Sequence, residues 1–101
     1  MPTKYKIEYL PIAQSDLNEI FDYIQIDAPE TAMDILNEID SKITLLISFP
    51  QMGTVPIDER LMRLGYRMLV IRNYIVFYVI SEDVIEIRRI IHGNRNYSFL
   101  L

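Results

Sequence analysis

The chain has no cysteine and a single histidine among 101 residues. Without cysteine there is no disulfide staple, no thiol nucleophile and no thiolate metal site. One histidine excludes a histidine-rich zinc centre. No acidic cluster stands out at a spacing suited to a carboxylate-only magnesium site. The sequence also lacks a Ser-His-Asp pattern, a phosphate-binding loop and a dinucleotide fingerprint. No metal and no cofactor is expected. No apolar run approaches the roughly 20 residues of a membrane helix. The opening stretch, MPTKYKIEYLP, lacks the apolar region of a signal peptide. A cytoplasmic protein without membrane contact is expected.

Hydrophobic residues, by contrast, are plentiful, at 50% of the chain. That is enough for a packed core, and the length suits one domain, residues 1–101. The net charge of −4 hides a division. Residues 1–59 carry three basic and eleven acidic side chains, whereas 60–101 carry seven basic and three acidic. All seven arginines lie in the second part. This asymmetry suggests a cationic face on the C-terminal part, with acidic elements behind it.

The apolar pattern orders the elements. Tyr5, Ile7 and Tyr9 alternate with polar residues, which predicts a first strand over 4–9. Pro11 suits a helix start, and Ala13, Leu17, Ile20, Phe21 and Ile24 form a helical stripe. Pro29 and Glu30 restart a second helix, whose stripe runs through Ala32, Ile35, Leu36, Ile39, Ile43 and Leu46 to about Ser48. Residues 50–60 read as a loop, and 61–72 as extended with a bend at Gly65. Residues 74–80 are apolar on both faces, as in a central strand, and 84–92 form the last strand. The order β-α-α-β-β-β predicts an α+β domain. A mainly antiparallel sheet would carry the N-terminal helical hairpin on one face.

Simple alternation in the last strand sends Val84, Glu86, Arg88, Ile90 and His92 one way, and Ile85, Ile87, Arg89 and Ile91 toward the helices. Glu86, Arg88 and His92 would then share an outward row. Arg89, set among isoleucines, is expected to snorkel at the sheet edge or to pair with a helix carboxylate. Histidine is the side chain whose ordinary chemistry suits proton transfer near neutrality, so in a metal-free ribonuclease His92 would be the general acid or base. A lone histidine before a glycine equally suits a turn that it merely hydrogen-bonds.

The ordered set of motifs resembles the RelE/ParE toxins of bacterial type II toxin–antitoxin modules. It comprises Ala13-x-x-x-Leu17-x-x-Ile20, Pro29-x-x-Ala32, Pro50-x-x-Gly53, Tyr74-Ile-Val-Phe-Tyr78 and Ile87-Arg-Arg-Ile-Ile-His-Gly-Asn-Arg95. The resemblance implies growth inhibition, as in plasmid stabilisation, and neutralisation by a cognate antitoxin that wraps the toxin. A free sheet edge or an apolar groove would receive it. Two activities occur among such toxins. ParE-like members inhibit DNA gyrase by protein–protein contact. RelE-like members cut mRNA on the ribosome without metal.

Positions that carry RelE-type chemistry correspond here to Arg67, Leu69, Ile75, Arg95 and Leu101, and only the two arginines keep suitable groups. Arg67, His92 and Arg95 would be catalytic in a RelE-like enzyme. Such an enzyme also needs Arg67, Arg72, His92 and Arg95 on one concave surface. Arg63, Arg72, Arg88 and Tyr97 are the expected contacts to a target or antitoxin. The ending His92-Gly93-x-Arg95 is similar to that of ParE-like toxins, and the low pI suits a ribosome binder poorly. The resemblance thus implies a ParE-like gyrase inhibitor, with an mRNA endonuclease or an inactive antitoxin-binding relative as alternatives. A homodimer or toxin–antitoxin hetero-oligomer is the expected assembly.

Overall fold

A computed structural model of the chain describes residues 5–94 together with Tyr97. Strand β1 (Lys6–Tyr9) leads into helices α1 (Pro11–Gln25) and α2 (Pro29–Thr44). Both helices begin on a proline, whose fixed φ suits the first turn and whose missing N–H has no partner there to lose. A 3-10 turn over 45–47 continues α2. Three strands complete the fold: β2 (Tyr66–Ile71), β3 (Tyr74–Ser81) and β4 (Val84–His92).

The sheet order is β1-β4-β3-β2. The two hairpins pair antiparallel, and β1 joins β4 in parallel from Lys6↔Val84 to Tyr9↔Ile87. The sheet is therefore mixed, with the helical hairpin on one face as expected.

Two apolar clusters sandwich the sheet. On the helix side, Ala13, Leu17, Ile35, Ile39 and Ile43 pack on Leu69, Val76, Tyr78, Ile85, Ile87 and Ile90. On the far side, Leu61, Tyr66, Ile75, Phe77 and Ile91 form a smaller core, with Tyr97 against it. Strand β3 is buried on both faces, as its unbroken apolar run implies.

Two expectations need correction. Residues 59–63 are not loop and strand but a short helix, α3 (Glu59–Arg63). The Asp58 carboxylate caps it, accepting from the Leu61 N–H at 3.1 Å. Leu61 is thereby turned under the far face and fully buried.

Strand β4, in turn, does not alternate to its end. Phe77 faces Arg89 while Tyr78 faces Ile87, which leaves Arg88 as an extra residue in the ladder. This bulge reverses the facing of every later residue in the strand. Ile90 packs with the helices and Ile91 with the far core, the opposite of simple alternation.

Candidate functional site

Among the described residues, those singled out by the sequence do not assemble into one cationic surface. Glu86 and Arg88 remain neighbours on the far face, where Arg88 donates twice to the Glu86 carboxylate and lies 5.7 Å from the Tyr66 ring centre. His92, beyond the bulge, leaves that row. It stands edge-on to Tyr74 at 5.5 Å, and its Nδ1 accepts from the Asn94 N–H at 3.2 Å. Arg72, at the β2–β3 turn, donates to Glu38 of α2 at 2.8 Å. Arg63 meets Glu59 one helical turn away at 3.4 Å. Tyr97 packs on Phe77 with ring centres 5.0 Å apart. Arg95 lies outside the described residues.

Arg67 is occupied in a different way. Its Nη1 donates to the Gly53 carbonyl at 2.8 Å and to the Gln51 carbonyl at 3.4 Å. The neighbouring Tyr78 hydroxyl accepts from the Gly53 N–H at 3.0 Å and donates to the Pro50 carbonyl at 2.8 Å. Burial pushes the Tyr78 phenol up from its usual value, against the lowering effects of the Gly53 bond and Arg67. Gly53 is required by space: a Cβ there would stand 2.7 Å from both the Met68 carbonyl oxygen and the Tyr78 hydroxyl. The Pro50-x-x-Gly53 motif, Arg67 and Tyr78 are thus one clamp that holds the 50–53 loop against the sheet.

Arg67 and Arg72 stand at opposite ends of β2, separated by about 17 Å at a rise of about 3.4 Å per residue. The register places His92 beside Tyr74 at the Arg72 end. Of the RelE-type positions, Leu69 is buried in the helix-side core and Ile75 in the far core. The convergence that a RelE-type centre needs is absent among the described residues.

Helical patterning places Asp16 with Asn18, Glu19 and Asp22 on the polar face of α1, and the structure corrects this. Asp16 is a buried carboxylate, only 8% exposed, on the same stripe of α1 as Ala13, Leu17 and Ile20. Arg89 grips it through Nε at 2.8 Å and Nη2 at 2.9 Å, and the Ile90 N–H donates to it at 2.9 Å. The bond to Asp16 raises the Arg89 pKa, and the guanidinium stays charged. Arg89 does take the helix carboxylate, one of its two expected roles. The signal was an acid inside an apolar helical stripe together with a base inside an isoleucine run.

A groove of about 680 Å³ between α1 and α2 was also missed. Leu17, Phe21, Met33 and Leu36 supply its apolar lining, with Asp22 and Asp40 among the polar groups. Tyr9 lines it too, its phenol pushed up to about 12, first by burial and then by Asp40. Among the described residues no three His, Cys, Asp or Glu gather as a metal site. None of the described helices is long and apolar enough to cross a membrane.

The family model described as ParE toxin of type II toxin-antitoxin system, parDE, matches residues 7–97. The chain belongs to the ParE toxin family. No curated protein matches this ParE-family chain by sequence. Among solved structures, it is similar in fold to the chromosomal ParDE TA system from P. aeruginosa. The TM-score is 0.74 at 19% identity, over 90% of this chain and 98% of that one. YafQ from E. coli strain BL21(DE3) aligns at a TM-score of 0.56 and 20% identity, covering 88% of this chain and 93% of the other. The toxin of the E. coli DinJ-YafQ toxin-antitoxin complex gives 0.53 at 17% identity, covering 88% and 92% respectively. The ParE family and the fold shared with YafQ agree with the RelE/ParE resemblance of the motifs.

Proposed function

We propose that this ParE-family toxin is neutralised by a cognate antitoxin and inhibits DNA gyrase by protein–protein contact, without cutting RNA. The observation that carries the second half is the placement of Arg67. Its guanidinium serves the 50–53 loop, at the far end of β2 from His92. Phosphate-directed catalysis needs donors and a proton carrier around one reacting atom. Here the two groups are divided between the ends of a strand. Arg63, Arg72, Arg88 and Arg89 each pair with a carboxylate instead.

An antitoxin is supported by the family and by the ParDE and DinJ-YafQ assemblies of its fold relatives. The acidic, half-apolar α1–α2 groove is a suitable place for an amphipathic helix.

The test pairs two assays of the purified chain. Gyrase supercoiling of relaxed plasmid is expected to fall in its presence, and to recover on adding the antitoxin encoded beside it. Reporter mRNA translated on ribosomes is expected to stay intact. Transcript cut only on ribosomes, with gyrase unaffected, reverses the assignment in favour of the endonuclease. Inertness in both assays assigns the chain as an inactive antitoxin binder.

A further inference from the structure

A second cavity, of about 450 Å³, opens between α1 and the β3–β4 end of the sheet. It is distinct from the α1–α2 groove, and the proposed antitoxin contact makes no use of it. Three of its walls are aromatic: Tyr23 from α1, Tyr74 from β3 and His92 from β4. Tyr74 and His92 meet nearly at right angles, 82° between planes, so one face and one edge border the same corner. Tyr23 stands 80% exposed at the mouth. It is near enough that, after burial, its hydroxyl is the next cause raising the Tyr74 phenol. Glu19, one helical turn before Tyr23, supplies a carboxylate to the lining.

Aromatic faces set around a small cavity attract a cation through the ring quadrupole, most strongly where water is displaced. The local charge has the complementary sign. The cavity wall carries Asp16 and Glu19, and Asp16 is bonded to Arg89. Two carboxylates against one guanidinium leave a negative balance.

We propose that this cavity is a cage for one arginine side chain presented by a protein partner. Arginine fits better than lysine. Its flat guanidinium can lie along a tyrosine face and still offer an N–H edge to Glu19, whereas an ammonium presents a hydrated point charge. The cage does not depend on which cellular target the toxin acts on.

The experiment uses the full chain and follows the ring resonances of Tyr23, Tyr74 and His92 by NMR. The probes are N-acetyl-argininamide, its neutral isostere N-acetyl-citrullinamide, and spermidine. The arginine probe is expected to shift all three rings saturably, on the order of millimolar in dissociation constant. The citrulline probe should shift none of them. Tyr74→Leu is expected to weaken binding roughly tenfold, Tyr23→Ala about threefold and Glu19→Gln about twofold. Tyr23 and Glu19 are exposed, so those two variants keep the test decisive if Tyr74→Leu does not fold. Equal shifts from the citrulline probe, preference for spermidine, or undiminished binding in Tyr23→Ala and Glu19→Gln would each overturn the cage.

Discussion

Asp16 and Arg89 lie 73 residues apart in the chain and meet in a two-pronged ion pair that ties α1 to β4. Strand β1 ends at Tyr9, opposite Ile87, so among the described residues the β1 side of β4 has no strand partner beyond that point. The Asp16 carboxylate takes over there, accepting the Ile90 N–H that a neighbouring strand would otherwise bond. Both side chains are nearly buried, Arg89 at 13% exposure and Asp16 at 10%.

Removing one partner uncouples a nearly buried charge from its counterion. Asp16→Ala takes the carboxylate away from a nearly buried guanidinium and from the Ile90 N–H, and is expected to cost about 3–5 kcal/mol in urea unfolding. A double variant, Asp16→Leu with Arg89→Met, removes both charges together and is expected to recover much of that loss. A single variant within about 1 kcal/mol of the parent would show that the pair is solvated in solution.

The clamp gives a second expectation. Gly53→Ala forces a methyl group against the Met68 carbonyl and the Tyr78 hydroxyl. About 1–3 kcal/mol of destabilisation is expected, with faster hydrogen exchange at residues 53 and 54. Tyr78→Phe keeps the packing but orphans the Gly53 N–H, and should cost about 1–3 kcal/mol. Unchanged exchange at residue 53 in Tyr78→Phe would remove the hydroxyl from the clamp.

Much of this architecture is written in the sequence. The helical stripes give α1 and α2, the prolines give their starts, and the unbroken run Tyr74–Ile80 gives a strand covered on both sides. The short α3 hides because five residues cannot establish a period, although Asp58 followed by Glu59 is a cap signal. The bulge hides because alternation supposes an intact ladder. Its trace is the spacing of Ile85, Ile87 and Ile90, two residues and then three.

The candidate site was less legible. A count of arginines reports charge and is silent about partners. Arg72 meets Glu38, Arg88 meets Glu86, and Arg67 is taken up by backbone carbonyls. The Tyr23–Tyr74–His92 corner joins three separate elements, so no local spacing announces it.

Both hairpins turn through a residue with positive φ, Arg72 at 54° and Glu82 at 55°. Side chains with a Cβ are strained there, and glycine is not. Glu82→Gly is expected to stabilise the protein by about 1 kcal/mol in thermal or urea unfolding. Arg72→Gly gains the same relief but loses its half-exposed pair with Glu38, and should be nearly neutral. A destabilised Glu82→Gly would place the benefit of that side chain elsewhere.

Alkaline pH should weaken the fold through Tyr9. Its phenol titrates near 10.0 when unperturbed and at about 12 in the folded chain. Between those values the unfolded chain gives up its proton while the folded one retains it. The contribution is therefore whole below about pH 10 and is lost as pH rises toward about 12. Tyr74 and Tyr78 shift in the same direction. Tyr9→Phe should lose stability less steeply over that interval in chemical denaturation, and equal slopes would exclude Tyr9 as a source.

The parallel seam between β1 and β4 has a consequence for synthesis. Strand β1 can find its partner only once Val84–Ile87 have emerged from the ribosome, several seconds later at about 5–20 residues per second. A half-made chain has neither a closed sheet nor the α1–β4 tie. The fold is thereby completed late in synthesis, when the last strand docks between β1 and β3.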